Sequence, residues 1–506
     1  MASAARAYDA RAESGSRPKI GIATFGSGNW HLVLEILLAH GLALRGAVPE
    51  LLVCDIPALP VCDERTCFDP DTTCCHGCLP GKQPLLDQCG ITWRGLSRYV
   101  PRGAVERARA LIDSLSDQEL ARFHYRSWPL SEWTFVSLCH FLRRDARSHE
   151  PEHFAARRLF LSTGIVILDA VERWLDELEP DAIVAESGAH FMWRIAFELA
   201  RARGIRVICR EIGKGGFDHH IYSVNAECMF PEWDEVWNAT KDVPLSDASE
   251  RDVTDYLAQM PAKTYLPGER REDSAQGGLQ IPGNGRLALL FTNVTWDLAT
   301  AGRDEAFDGM FDWLSETLTL AARTPDVRFV LRVHPAEEHV LTKDRVLEWL
   351  RDKWPRLPEN VTTISPGTPA SVRTLTQMAD VDVVLTYCST TGIEAAIYGK
   401  PVIVAGTPHY RGKGFTIDVR SRADYRDALA RWLRGELDAP RNAPELARRY
   451  FHLFFLRYHI PMGWTTSPLE PPFALKMKDL SELLTGQSRA VDVVCTGILE
   501  GSEILL

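Results

Sequence analysis

Five apolar runs separated by helix-length intervals dominate the second half of the chain: LALLFT (287–292), RFVLRV (328–333), VTTI (361–364), DVVLTY (382–387) and PVIVAG (401–406). Short runs rich in Val, Ile and Leu read as strands buried on both faces. Helices are predicted between them, over 303–323, 341–353, 370–378 and 391–398. Such repetition leaves few options besides a parallel, doubly wound sheet covered by helices. The first half repeats the theme less cleanly. KIGIAT (19–24) leads through Phe25-Gly26-Ser27-Gly28-Asn29 into an apolar helix at 30–40, and ELLVC (50–54) follows. After a helical stretch from 104 to 178, whose last helix is predicted over 153–178, the alternation resumes. It runs through DAIVA (181–185), a helix at 191–203 closed by Gly204, and IRVIC (205–209).

A chain of 506 residues is too long for one hydrophobic core, so two domains are expected. Residues 1–17 are small, polar and charged, and read as a disordered tail rather than a secretory signal. An N-terminal Rossmann-like domain is placed at 18–240 and a C-terminal one at 286–440. Between them, 241–285 is polar and rich in Gly, Pro and Ser, and is predicted to be a linker and mobile loop. Residues 441–506 are expected to be helical, part of them crossing back to the first domain. The net charge of −11 argues against a nucleic-acid scaffold, which needs a basic face to replace phosphate counterions. The most apolar stretch, 32–53, is broken by Glu35, His40, Arg45 and Pro49 and is a poor membrane span. A cytoplasmic protein is expected, with peripheral contact at the inner face of a membrane where its acceptor resides.

Ligands of open α/β sheets bind outside the carboxyl ends of the strands. Two groups of residues fall there. The strand RFVLRV carries Arg332 and runs into His334-Pro335, where proline stops the strand and leaves an imidazole at the rim. That ring is able to donate to a phosphate oxygen or to protonate a leaving phosphate, or simply to satisfy a loop carbonyl. The strand DVVLTY runs into Cys388-Ser389-Thr390-Thr391-Gly392 at the start of a helix. Hydroxyls beside the positive end of a helix suit an anion, and glycine permits close backbone approach. Glu394, in the first helical turn, is placed to bind ribose hydroxyls. A plain N-cap by Ser389 or Thr390 is the alternative.

A strand ending in His-Pro, a later strand followed by STTGIEAAIYGKPVIV, and Gly406, Tyr410, Gly414 and Phe415 beyond it together resemble the capsule polysaccharide biosynthesis family. That family includes 3-deoxy-manno-octulosonate (Kdo) transferases. The His-Pro and Ser/Thr pair is also similar to the donor site of bacterial sialyltransferases that use CMP-sugars. The resemblance covers about 287–420. It implies a GT-B fold: α/β, two Rossmann-like domains with a cleft between them. It implies further that His334, Ser389 and Thr390 contact the donor phosphate and Glu394 the ribose, and that the N-terminal domain supplies acceptor contacts and the base.

Other candidates follow from position. Asn293 and Asp297 lie after the first strand of the second domain and either touch substrate or cap their loop. Arg411 and Lys413 are able to neutralise a phosphate or a sugar carboxylate. In the first domain Glu186 and Glu211 sit at strand ends, where a carboxylate of raised pKa deprotonates an acceptor hydroxyl or acts as a nucleophile; capping or pairing with Arg210 are the alternatives. Gly26 and Gly28 in the first glycine turn, and Lys214 in a glycine-rich loop, are candidate substrate contacts. Seven of the twelve cysteines fall between Cys54 and Cys89, at spacings of 8, 5, 7, 1, 3 and 11. They are read as a Cys-rich insertion at 54–89, holding a structural zinc at Cys62, Cys67, Cys75 and Cys78 or else reduced thiols.

The expectation is a glycosyltransferase moving a sugar, a CMP-activated acidic sugar such as Kdo, to a surface polysaccharide or glycolipid, with no catalytic metal or other cofactor. Its rivals are a CDP-glycerol-type phosphotransferase, which needs a second histidine such as His409 or His219, and an enzyme resembling UDP-sugar 2-epimerases.

Overall fold

The computed structural model describes residues 17–26, 29–56, 59–62, 75–147, 151–213, 217–259, 285–339, 342–366, 381–466 and 474–506. Six strands precede residue 230: β1 (Lys19–Thr24), β2 (Val48–Val53), β3 (Thr92–Gly95), β4 (Ala182–Glu186), β5 (Arg206–Ile212) and β6 (His219–Val224). Six follow: β7 (Leu287–Phe291), β8 (Arg328–Arg332), β9 (Val361–Ile364), β10 (Val383–Thr386), β11 (Val402–Val404) and β12 (Ile417–Asp418). The short β13 (Ile460–Pro461) comes last. The chain divides into two compact units. The first gathers the described residues up to Leu142, Ala146–Glu232 and Arg457–Leu506; the second holds Arg143–Asp145 and Trp233–Leu456.

In the first unit the sheet order is β13-β6-β5-β4-β1-β2-β3. Strands β3, β2, β1, β4 and β5 are parallel, while β6 and β13 are antiparallel additions at one edge. The second unit holds β12-β11-β10-β7-β8-β9, all parallel. Numbered within itself, that second sheet reads 3-2-1-4-5-6, the doubly wound Rossmann order. Both strand orders reverse direction once, between β1 and β4 in one unit and between β7 and β10 in the other. A crevice at the carboxyl ends of the strands is built into such a reversal, because successive helices leave to opposite faces there.

Burial explains the elements. Strands β4 and β7 are buried at every position, as strands sandwiched between helix layers must be. Helix Pro151–Leu178 presses Trp174 so close to β1 that a Cβ on Gly21 would lie 2.6 Å from the indole. The last helix, Arg489–Glu500, buries Val491, Val494, Cys495 and Ile498 in the same core as Leu34, Leu38 and Leu42 of helix Asn29–Ala43. No helix among the described residues is long and apolar enough to cross a membrane.

Several expectations change. The cysteine-rich stretch is not seen as an insertion. Its described part contains helix Cys75–Gln88, which joins β2 to its parallel neighbour β3 and sends Leu86 into the core. Pro80, Gly81 and Pro84 lie inside that helix. The region 241–285 is not wholly linker, since Asp247–Gln259 is a helix whose Val253 is fully buried. Charges on its exposed face masked that pattern. The helix expected from 303 begins at Met310, after turns at 301–309. His219 and His220 open β6. The 1–16 part of the expected tail, most of the linker (260–284) and the helix expected at 370–378 lie outside the described residues.

Candidate functional site

The reversal point of the second unit carries the sequence-predicted donor residues. Beyond β7 the chain passes Thr292 to Asn293, whose side-chain carbonyl accepts the Cys388 N–H at 3.0 Å and so ties the β7 and β10 exits together. Thr292 offers its hydroxyl oxygen to the His334 N–H at 3.0 Å, tying in the β8 exit. His334 Nδ1 accepts the Ala336 N–H at 3.1 Å. An accepting Nδ1 carries no proton, so the ring proton resides on Nε2, which is thereby a donor. The Pro335 bend is what brings that N–H back under the ring.

The Ser-Thr-Thr-Gly turn is knotted internally. Ser389 N–H reaches the Thr386 hydroxyl at 3.1 Å, Ser389 Oγ accepts the Thr391 N–H at 3.3 Å, and the same hydroxyl donates to Thr391 Oγ1 at 3.1 Å. Ser389 therefore does real capping, while Thr390, half-buried, makes no capping bond with its side chain. Gly392 has a reason other than ligand approach. A Cβ there would sit 2.3 Å from the Tyr410 hydroxyl, which donates to the Ser389 carbonyl at 2.7 Å. Gly406 likewise lies where a Cβ would meet Cys388 Sγ at 2.7 Å. The glycines and the tyrosine of the motif together clasp the turn, a role that their spacing alone did not reveal.

The remaining candidates of this unit are placed as follows. Arg332 lies over the Phe291 ring at 5.7 Å. Glu394 is buried and close enough to Tyr256 that, after burial itself, it helps push the phenol up to about 12. Asp297 is exposed, and its Oδ1 accepts the Ala299 N–H of its own turn at 3.4 Å. Arg411 binds the Gly406 and Val419 carbonyls at 2.7 and 2.8 Å and pairs with Glu305 at 2.5 Å. Lys413 pairs with Asp234 at 2.7 Å. Both cations are thus engaged by the protein. His409 stacks on Phe454 with ring centroids 3.9 Å apart and lies 2.8 Å from the Tyr450 hydroxyl through Nδ1.

The first unit has its own constellation at its reversal point. β4 ends at Glu186, followed by Ser187 at φ 55° and Gly188 at φ 80°, a left-handed pair that turns the chain sharply. Glu186 lies opposite Arg210 in the parallel ladder, and Arg210 Nη2 meets Glu186 Oε2 at 2.6 Å. His31, from the helix after β1, places Nδ1 at 3.0 Å from the same carboxylate oxygen. Burial alone would raise the Glu186 pKa, but Arg210 and His31 outweigh it and hold it down at about 2. This reverses the raised value expected of a carboxylate in a dry site, because the guanidinium and imidazole replace the lost water. Glu35 stands 4.0 Å from Arg210, and burial lifts it to about 8. Lys82, fully buried on the cysteine-bearing helix, donates to the Gly26 carbonyl. Sequence reasoning missed His31, Glu35 and Lys82; a charged residue inside an apolar helix was the available signal.

Glu211 does not join this group. It follows Arg210 in β5, so its side chain leaves the opposite face of the sheet. There it contributes to raising the Tyr458 and Cys228 pKa values, both dominated by burial. Gly28 and Lys214 lie outside the described residues.

Residues 253–432 match the family described as capsule polysaccharide biosynthesis protein. The match spans the whole reversal-point site of the second unit, from Asn293 to Lys413. No curated protein matches the chain significantly. Among solved structures, the β-Kdo 2,4-transferase KpsC of Thermosulfurimonas dismutans is similar at 16% identity, over 60% of this chain and 87% of that one, with a TM-score of 0.36. The glycosyltransferase SnogD of Streptomyces nogalater is similar at 12% identity over 87% and 95% of the two chains, with a TM-score of 0.23. The UDP-GlcNAc 2-epimerase of Neisseria meningitidis is similar at 12% identity over 85% and 94%, with a TM-score of 0.25. Likenesses this distant add nothing to the strand orders already described.

The zinc expectation finds no support among the described residues, where no group of three or more His, Cys, Asp or Glu is able to hold a metal. Cys62 is buried and Cys78 half-buried. Cys67 and the Cys75 side chain lie outside the described residues.

Proposed function

We propose that this chain is a nucleotide-sugar-dependent glycosyltransferase whose second unit holds the donor, a CMP-activated acidic sugar such as Kdo, for transfer to a surface glycan or glycolipid. The observation that carries the reading is the fixed tautomer of His334 at the β8 exit, with Nε2 left as a donor, and the Ser389–Thr391 hydroxyls at the β10 exit, both exits being tied to that of β7 through Thr292 and Asn293. In transfer, the bond from the anomeric carbon to the phosphate oxygen breaks, and negative charge collects on the departing phosphate. An oriented N–H and the Thr390 hydroxyl stabilise that charge without reorganising. Glu394 is assigned to the ribose. The scheme calls on no metal. A lipid-linked acceptor would draw the enzyme to the inner face of the membrane.

Thermal stabilisation by CMP, CDP, UDP and GDP tests the donor. CMP at 100-fold over its Kd is expected to stabilise by about 2.7 kcal/mol. Stabilisation by UDP or GDP without CMP would sink the CMP preference. CMP release from CMP-Kdo with a Kdo-primed glycan acceptor tests turnover. His334→Ala is expected to lower that rate about 100-fold or more, and His334→Gln, whose amide restores a donor near Nε2, to recover part of it. Full transfer and nucleotide binding in His334→Ala would remove the site.

A further inference from the structure

We infer that Thr295 and Thr300, on the loop that follows β7, bind hydroxyl groups of the activated sugar. This deepens the donor reading above and rests on it. The loop is pinned across the carboxyl ends of the second sheet. At its start the Asn293 side chain accepts the Cys388 N–H beyond β10, and the Asn293 N–H meets Met310 Sδ at 3.1 Å. Midway, the Trp296 indole N–H donates to the Thr342 hydroxyl at 3.1 Å, on the segment that follows β8. At its far end the Arg303 carbonyl accepts the Thr407 N–H at 3.0 Å and the Thr407 hydroxyl at 3.1 Å, just beyond β11. The Tyr387 hydroxyl, at the end of β10, donates to Asp304. One loop thus spans the exits of β8, β10 and β11 as well as that of its own strand.

Thr295 lies between the first two pins and Thr300 between the last two. Both residues are buried, with exposures of 7% and 4%, and neither hydroxyl has a hydrogen-bond partner among the described residues. The backbone of the loop serves itself: the Asp297 carbonyl accepts the N–H groups of Thr300 and Ala301 at 2.9 and 2.8 Å. The two hydroxyls stay outside that arrangement. Other threonines of this unit show the ordinary solution, since Thr317, Thr319 and Thr324 each donate to the carbonyl four residues back. A buried hydroxyl without a partner costs free energy, so two of them in one pinned loop mark a place that a polar group from outside completes.

The chemistry narrows the occupant. A threonine hydroxyl is neutral and both donates and accepts, which matches the hydroxyl groups of a sugar. The donor's phosphate calls for charge or for oriented N–H groups instead, and the reading above gives it His334 and the hydroxyls at the β10 exit. Site and position agree, because ligands of such a sheet bind outside the carboxyl ends of its strands, where this loop lies. Thr295 and Thr300 take no part in bond making. They hold the sugar while the bond to phosphate breaks, and a site built to bond hydroxyl groups discriminates against sugars that lack them.

Two measurements on the full chain test this, with the double variant Thr295→Val/Thr300→Val. The first is the melting temperature without ligand. It is expected to equal or exceed that of the parent protein, because valine keeps the shape and removes two unpartnered hydroxyls. A fall of about 4 °C or more would mean that trapped water already satisfies them, and overturns the inference. The second is affinity, read from thermal stabilisation at increasing CMP and CMP-Kdo. The Kd for CMP-Kdo is expected to rise about tenfold while that for CMP stays as in the parent. Thr295→Ser/Thr300→Ser, which returns both hydroxyls, is expected to recover most of the affinity. A rise in the CMP-Kdo Kd of less than about threefold overturns the inference and leaves the transferase reading intact. An equal loss for CMP and CMP-Kdo overturns it too, since the hydroxyls would then serve the nucleotide. A parent protein that responds to no nucleotide or activated sugar sinks the transferase reading, and the inference with it.

Discussion

At the scale of single residues, the motif that marks the second unit is held by contacts rather than by its own spacing. Gly392, Tyr410 and Ser389 form one contact set, since the Tyr410 hydroxyl occupies the place of a Gly392 Cβ and donates to Ser389. Gly392→Ala is expected to destabilise by about 1–3 kcal/mol through overpacking against a fully buried phenol. Tyr410→Phe should cost about 1 kcal/mol for the lost hydrogen bond. Combined, the two should cost less than their sum, since removing the hydroxyl makes room for the methyl group. Urea midpoints of the four proteins check this; strict additivity would mean that the two positions do not touch.

At the scale of elements, the first unit depends on a segment far away in sequence. Helix Arg489–Glu500 shares its core with helix Asn29–Ala43, and Cys495 Sγ comes within 3.1 Å of the Cβ position of Gly41. Ile498 is fully buried there. Ile498→Ala is expected to cost about 2–5 kcal/mol, read as a lower urea midpoint. A loss under about 0.5 kcal/mol, the range of ordinary surface changes, would show that the helix contributes little to that core. Helix Cys75–Gln88 is the converse case. It contains two prolines and two glycines, which sequence reasoning reads as breaks, yet its Lys82 donates to the Gly26 carbonyl of the glycine turn. Tertiary packing overrode propensity there.

At the scale of the whole molecule, buried carboxylates shape the dependence of stability on pH. Burial raises Glu337 from 4.5 to about 7, ahead of the opposing Val346 N–H bond, and Glu35 to about 8. A carboxyl group whose folded pKa is raised binds its proton more tightly in the folded state. Its contribution is therefore complete below about pH 4.5 and lost as pH rises through the folded value. Glu186 acts in the opposite sense, with stability present above its unfolded value and lost as pH falls toward 2. Between pH 5 and 8 the raised pair loses its protons while Glu186 stays ionised. Glu337→Gln is expected to remove of order 3 kcal/mol of the decline across that range, measured by urea midpoints at pH 5 and pH 8. An unchanged slope would show that Glu337 is solvated in the folded protein.

The sequence by itself determined the class of each sheet and the residues at the β7, β8 and β10 exits. Strands buried on both faces leave continuous apolar runs, and His334-Pro335 and Ser389-Thr390-Thr391-Gly392 follow two of those runs directly. Local rules of this kind need no knowledge of distant contacts. The tertiary structure decided the rest. It separated Arg210 and Glu211, neighbours in sequence, onto opposite faces of β5. It brought His31, Glu186 and Arg210 together across 179 positions of chain through the parallel pairing of β1, β4 and β5. It also turned Arg411 and Lys413 from free cations into partners of Glu305 and Asp234. The reason is physical: a proton affinity, or the availability of a charge, is set by what lies within a few ångströms, and strand pairing chooses those neighbours from anywhere in the chain.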